Sequence, residues 1–267
     1  MDRRQRGEQL AYSELMAAML DETKRRQKAA KLLAVLRHAL GRDGLDGLVA
    51  VDVGCSAGFI ADELAAAGAS THGVDIDEPG LARARERFGA RVSFHRASGS
   101  ALPFEDGSVD VVVLNHIYEH VSDPEAVVAD IHRVLAPTGV LYLGIGNRLG
   151  VVEPHYKLPF LSWLPHGPIA DGYVRAFGRA DHYYERFRTR RGLRRLFAAY
   201  DCWDYTLPVL ADAAAFSGHD VVPPAVGRVP VPVLRGLLPL VPTYIWVAFR
   251  TPQAPAGPAL RVPPRRV

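Results

Sequence analysis

The sequence predicts an α/β protein organised around a mainly parallel sheet, and three observations carry that reading. Short apolar runs alternate with segments of helical spacing along residues 48–147, the pattern of repeated strand–helix–strand units. The first run, Leu48 to Val53, stops at Gly54 and gives way through a few small residues to a helix opening near Gly58. Small residues let a ligand lie against backbone, and the free N–H groups of a helix start favour acceptor or negative groups. The next strand ends in Gly73-Val74-Asp75-Ile76-Asp77. Its acid lies about twenty residues after the glycine turn, the spacing at which a carboxylate takes a ribose hydroxyl.

Taken in order, residues 1–7 read as a disordered start. Leu10, Leu15, Met16, Met19 and Leu20 suggest one amphipathic helix. Leu32, Leu33, Leu36 and Leu40 suggest a second, with Lys24-Arg25-Arg26 and Lys28 on its outer face. Gly41 to Gly47 is a turn-rich link into strand one. Phe59, Ile60 and Leu64 carry the helix after the glycine turn, and Glu78 to Phe88 carries the next, with Pro79 in its first turn. Arg91 to His95 reads as strand three and Val109 to Leu114 as strand four. A helix then runs from Ser122-Asp123-Pro124 to Leu135, and Pro137-Thr138-Gly139 turns into strand five, Val140 to Ile145.

Composition excludes several classes. A net charge of +3 over 267 residues is too small to imply a nucleic-acid partner, and arginines gather at the two ends, where solvated tails explain them. Cys55 and Cys202 give neither a disulfide framework nor a zinc spacing. With no signal-peptide pattern, the expectation is a cytoplasmic protein with reduced thiols. The apolar stretch from Val231 to Phe249 is broken by Pro232, Arg235, Pro239 and Pro242, which makes it a poor membrane span.

The loop Asp52-Val53-Gly54-Cys55-Ser56-Ala57-Gly58 lacks the G-x-G-x-x-G of a dinucleotide site. Its D-x-G-x-x-x-G pattern resembles motif I of the class I S-adenosylmethionine-dependent methyltransferases, with Ser56 at the usual middle glycine. Three further segments are similar to that family in the same order. They are Leu102-Pro103-Phe104-Glu105-Asp106-Gly107-Ser108, then Glu119-His120-Val121 after strand four, then Arg133 to Gly139 before strand five. The resemblance covers roughly residues 48–147. It implies a Rossmann-like, doubly wound, seven-stranded sheet whose last strand is antiparallel, here Thr243 to Phe249 beside strand six, Asp201 to Leu207. It implies S-adenosylmethionine as cofactor, held by Asp52, Gly54, Ser56, Gly58, Asp75, Ile76, Ser98, Gly99 and Asn115. Ser98 stands where the family usually has an adenine-binding acid, and a hydroxyl is a weaker acceptor than a carboxylate. Both prolines of the N-P-P-Y motif of base-modifying relatives are missing from Asn115-His116-Ile117-Tyr118, which disfavours nucleic-acid bases as acceptors.

Beyond Asn147 the similarity thins. A helix is expected over Ala170 to Phe177 and another over Arg190 to Ala199. The domain plan is N-terminal helices over the cofactor cleft (1–47), a methyltransferase domain (48–250) with substrate-covering insertions at 148–189 and 208–242, and a disordered, proline-rich tail (251–267). Tyr118, Tyr156, Phe160, Trp163 and Tyr183 are expected to line an aromatic acceptor pocket.

Methyl transfer from a sulfonium is an in-line displacement, so positioning supplies much of the catalysis and a base helps when the acceptor is a hydroxyl. His155, after strand five, is the first choice for that base, and His116, directly after strand four, the second; His182 is weaker. Glu153 receives no partner role. His116 and His120 form an i,i+4 pair, but no third ligand is evident in sequence and no metal is assigned. The expected activity is methylation of a small molecule, most simply a hydroxyl of a natural-product, glycan or quinone-like acceptor. The alternatives are N- or C-methylation, a lipid-linked acceptor approached at a membrane, and a non-catalytic cofactor-binding module.

Overall fold

The computed structural model describes residues 21–220 and 229–267. Its strands are β1 (Val49–Val53), β2 (Ser70–Asp75), β3 (Val92–Arg96), β4 (Val109–Asn115), β5 (Leu135–Gly146), β6 (Asp201–Asp204), β7 (Thr243–Phe249) and β8 (Arg265–Arg266). They form one sheet in the order β3-β2-β1-β4-β5-β7-β6-β8. β1 to β5 pair in parallel, and β7 runs antiparallel to both β5 and β6. The doubly wound sheet with an antiparallel strand seven is thus as expected, with one addition: the two-residue β8 pairs antiparallel with β6.

Helices α1 (Glu22–Leu40), α2 (Phe59–Ala66), α3 (Glu78–Phe88) and α4 (Pro124–Val134) flank the parallel half. Asp21, Asp77 and Asp123 cap α1, α3 and α4, each carboxylate accepting a backbone N–H of the first turn. Buried on both faces, β4 alternates its side chains between two cores, as central parallel strands do. Val112 and Leu114 pack with Val127 and Ile131 of α4, whereas Val111 and Val113 pack with Leu32 and Leu36 of α1 and Leu64 of α2. Each fully buried leucine of α1 contributes roughly 1.5–3 kcal/mol. That face, more than helix propensity, fixes α1 on the sheet.

Four expectations change. The residues Arg25 and Lys28, assigned to the outer face of α1, turn toward the sheet's C-terminal edge, and Arg26 pairs with the buried Asp62 and with Glu63. An ionised carboxylate at Asp62, 1% exposed, needs a partner more than solvent needs the arginine. Strand five starts at once after α4, and its proline–glycine turn is absorbed as a register shift opposite Val109 and Val111. Strand six stops at Asp204, because that carboxylate accepts the Thr206 N–H and starts α7 (Thr206–Ala211). The tail is not disordered. The Ala256 N–H donates to the Ala39 carbonyl, His38 Nε2–H donates to the Pro258 carbonyl, and Trp203 Nε1–H donates to the Gln253 carbonyl. Proline removes chain entropy from the unfolded state, so a proline-rich segment is held by few contacts. The proposed helix over residues 10–20 and residues 221–228 of the second insertion lie outside the described residues.

The insertions supply α5 (Pro168–Ala176) from the first and α8 (Val231–Leu237) from the second, and α6 (Arg190–Leu196) lies between them. No helix of the described residues is long and apolar enough to cross a membrane.

Candidate active site

The loop after β1 is held from below. Gly54 N–H and Cys55 N–H both donate to the Val74 carbonyl, at 2.8 and 3.2 Å, and the Ser56 N–H donates to Asp75 Oδ2 at 2.7 Å. Asp75 Oδ1 accepts the Asp77 N–H, so this one carboxylate ties the loop to the end of β2. Gly54 has φ +77°, and a Cβ there would stand 2.1 Å from Ile117 Cδ1. Glycine is therefore required by both conformation and space. Ser56, also at positive φ (48°), holds the strained turn that a middle glycine would take freely.

A cavity of about 1030 Å³ opens over this loop. Of the nine residues expected at the cofactor, Asp52, Gly54, Ser56, Asp75, Ile76, Ser98, Gly99 and Asn115 line it. Gly58 does not: it caps the start of α2 at φ +79°, where a Cβ would press on Phe94 of β3 and Ala84 of α3. Ser98 is exposed on the wall, its Oγ accepting the Ser100 N–H. Lys24, Arg25, Gln27, Lys28 and Lys31 of α1 close one side. The expected cofactor fits these residues. Asp52 Oδ2 and Ser56 Oγ are buried with no hydrogen-bond partner among the described residues. Cys55 is buried and its thiol pushed well up by burial, with Asp75 and Asp52 adding, which suits packing and not nucleophilic attack.

Asp52 carries a consequence for stability. Burial raises its pKa from 3.8 to about 7, with the Asp75 charge adding and the Arg25 charge opposing. The folded chain therefore holds this proton between those two values and the unfolded chain does not. The stabilising contribution is complete below pH 3.8 and lost as pH rises through 7. The gap from 3.8 to about 7 corresponds to roughly 4 kcal/mol. Asp52→Asn, which cannot ionise, is expected to melt several degrees above wild type at pH 8, with the gain shrinking toward pH 4. Ligand-free thermal melts across that range check it; a gain independent of pH would contradict it.

The far wall carries the histidines. His116 follows β4 at φ +58°, a left-handed conformation unusual for a non-glycine residue. Its N–H donates to the Gly144 carbonyl, and its Nδ1–H donates to Oε1 of the fully buried Glu119 at 3.0 Å. The His116 side chain keeps 21% of its surface and lines the cavity, with no bonded partner on Nε2 among the described residues. Burial holds its pKa below the ordinary value against the opposing pull of Glu119. His155 also lines the cavity. Its Nδ1–H donates to Glu153 Oε1 at 2.8 Å, and its Nε2 faces His120 Nε2 at 3.1 Å. Burial opposes its charged form, but the Glu153 hydrogen bond and the charges of Glu185, Glu153 and Glu119 together raise its pKa. Burial pushes His120 down to about 3, the nearby His155 helping.

Several expectations are corrected here. Glu153, given no role in sequence, is fully buried and is His155's partner. His116 and His120 sit on a turn, not a helix, and third ligand groups do stand beside them. None of the five aromatic residues expected at the acceptor lines the cavity. Tyr118 is buried, donating to the Gly146 carbonyl and accepting the Arg188 N–H. Tyr156 and Tyr183 pack edge to face in the core that the insertion shares with the sheet, while Phe160 and Trp163 pack on each other at the surface. A segment of this length must bury its own aromatics before it can lend them to a pocket. Instead the insertions give the cavity Val152, Pro154, His155 and Lys157, then Val209, Leu210, Val241 and Pro242. His182 pairs with Asp171, away from the cavity. The groups that sequence missed are Glu119, Glu153 and Glu185. Glu119 carried a signal in Glu119-His120-Val121; the other two carried none.

The profile of a family described as "Methyltransferase domain" matches residues 51–143. The chain is similar to a ubiquinone biosynthesis O-methyltransferase of Methylococcus capsulatus, 36% identical over 133 residues that make up 46% of this chain and 55% of that one. A protein of the same description from Pseudomonas paraeruginosa is 36% identical over 136 residues, 47% of this chain and 57% of its own length. The chain thus spans about half the length of these curated relatives. An uncharacterized methyltransferase of Mycolicibacterium vanbaalenii is 30% identical over 210 residues, 73% of this chain and 78% of the other. Among solved structures, an S-adenosylmethionine-dependent methyltransferase from Mesorhizobium loti has the same fold, with a TM-score of 0.51 at 19% identity over 76% of this chain and 91% of that one.

Proposed function

Because the chain belongs to the class I S-adenosylmethionine-dependent methyltransferases, we propose that it methylates a hydroxyl oxygen of a small, phenol- or quinol-like acceptor. The observation that carries this reading is His116, with Nδ1 fixed by a buried carboxylate and Nε2 open on the cavity that also holds the glycine loop. When bound, the cofactor supplies a methyl carbon on a sulfonium. Asp52 and Ser56 would offer their unpaired oxygens to its methionine end, Asp75 its carboxylate to the ribose, and Ser98 its hydroxyl to the adenine. Glu119 keeps the Nδ1–H tautomer of His116, so that Nε2 is the nitrogen able to take the acceptor's proton.

The ubiquinone-pathway relatives favour a ring hydroxyl among the oxygen acceptors, and this chain's half-length match to them leaves that choice to experiment. A second reading, an acceptor met at a lipid surface, is favoured by the exposed Phe160, Trp163, Ile169 and Phe177 of the first insertion and Val233 and Leu237 of the second. One experiment separates the readings. Methyl-labelled cofactor is offered with catechol-type phenols, amine analogues and carbon acids, each with and without anionic vesicles. Label on the phenols alone supports the first reading. A requirement for vesicles supports the second, and label on amines or carbon acids alone overturns both.

A further inference from the structure

Three side chains of the histidine wall, His120, His155 and Glu185, are arranged as ligands and not only as acid–base groups. His120 Nε2 and His155 Nε2 face each other at 3.1 Å. Two carboxylates stand beside the pair, one behind His155 and one next to both rings. His155 Nδ1 meets Glu153 Oε1 at 2.8 Å, and His120 Nδ1 lies 3.8 Å from Glu185 Oε1. Glu153 is saturated, since its other oxygen accepts the N–H groups of both His155 and Tyr156, at 2.9 and 2.5 Å. It therefore accepts the Nδ1–H of His155, which leaves Nε2 as the lone-pair nitrogen. That is how a carboxylate behind a metal-bound histidine fixes its tautomer and aim. Two imidazole nitrogens each 2.0–2.1 Å from a tetrahedral ion stand roughly 3.3 Å apart, close to the separation found here.

A second, independent observation points the same way. Glu185 is 3% exposed; Tyr156 hydrogen-bonds to its carboxylate, but its Oε2 is buried with no hydrogen-bond partner among the described residues. An orphaned carboxylate oxygen carries a large desolvation cost unless a cation or donor meets it. One ligand atom from each of His120, His155 and Glu185 lies within 4.8 Å of the others. Glu119, whose Oε2 is likewise buried and unpartnered, forms a comparable group with His116 and the same His155.

We propose that His120, His155 and Glu185 hold a divalent transition-metal ion of the zinc type in the cavity wall. Two imidazoles and one carboxylate make a borderline N/O donor set, suited to zinc and its neighbours and unlike the all-oxygen shells of calcium or magnesium. Three protein ligands leave a fourth position, and both histidines line the cavity. Resting on the methyltransferase reading, that position is where an acceptor oxygen binds, next to His116, whose ring centroid is 5.8 Å from that of His155. The ion then anchors the hydroxyl and eases its deprotonation, while His116 Nε2 receives the proton.

The intact chain, stripped with a chelator and titrated with ZnCl2 by calorimetry, is expected to take up a single ion. CoCl2 is expected to give visible d–d absorption that added zinc abolishes. His155→Ala and Glu185→Gln should each weaken zinc binding by about 100-fold or more, and Glu153→Gln by about 10–100-fold. A His72→Ala/His95→Ala double variant removes the other close histidine pair, Nδ1 to Nε2 3.1 Å, and should leave the stoichiometry unchanged. If a variant fails to fold, X-ray absorption of the zinc-loaded wild type reads the shell directly, with imidazole nitrogens and a carboxylate oxygen expected. No uptake, uptake undiminished by the His155 and Glu185 substitutions, or a shell without imidazole overturns the assignment, and the 3.1 Å pair then holds a shared proton. These readouts need no turnover. Their failure leaves the methyl-transfer reading standing, whereas a chain that binds zinc but not S-adenosylhomocysteine would sink that reading alone.

Discussion

His116→Asn is expected to lower kcat toward a hydroxyl acceptor by about 10²–10⁴-fold, the usual cost of removing a positioned base, while leaving cofactor affinity unchanged. Asparagine is the informative substitution because the residue sits at φ +58°. Among side chains other than glycine, asparagine tolerates that conformation best, so the turn after β4 survives and the imidazole alone is lost. Alanine would mix the loss of the base with backbone strain. Cofactor affinity by calorimetry and single-turnover rates with the preferred acceptor separate binding from chemistry. Turnover near the wild-type level would leave catalysis to positioning, which an already activated methyl donor permits. A parallel fall in cofactor affinity would instead mark His116 as a structural support of the loop.

Asp75→Ala is expected to weaken binding of S-adenosylmethionine or its demethylated product by about 30–150-fold, on the order of 2–3 kcal/mol for charge-assisted hydrogen bonds. The structure adds a second reason for a large effect. Both Asp75 oxygens hold backbone N–H groups, those of Ser56 and Asp77, so the variant loses the brace of the glycine loop together with the ribose contact. Asp75→Asn keeps one acceptor oxygen and should fall between. Unchanged affinity in the alanine variant, measured by calorimetry, would contradict the cofactor assignment at this loop.

What was legible in the sequence was whatever short-range pattern encodes. The glycine turn, the acid ending β2 and the strand–helix alternation are local signals, and of the nine residues that the family resemblance implied for the cofactor, eight line the cavity. Gly58 misled because a glycine that faces a ligand and a glycine that caps a helix against its neighbours look alike in sequence; only Phe94 and Ala84 distinguish them. The histidine wall was half legible. His116 and His155 follow strand ends, where open α/β sheets gather ligands, but Glu153 and Glu185 reach them through the path of a long insertion that no periodicity encodes. The aromatic residues failed for a related reason. Composition announces that Tyr156, Phe160, Trp163 and Tyr183 are apolar, and it says nothing about whether they face a cavity, one another or solvent.

The clasp of the tail on α1 has a consequence in time. His38 and Pro258 meet across 220 positions of chain, and closing a loop of that length costs roughly 5 kcal/mol of chain entropy before any contact repays it. Contacts of such separation form late, after the neighbouring strands have paired. The helix they fasten supplies Arg25, Lys28 and Lys31 to the cavity. The tail therefore touches the cavity only at second hand, by fastening the end of a helix whose buried leucines already seat it on the sheet.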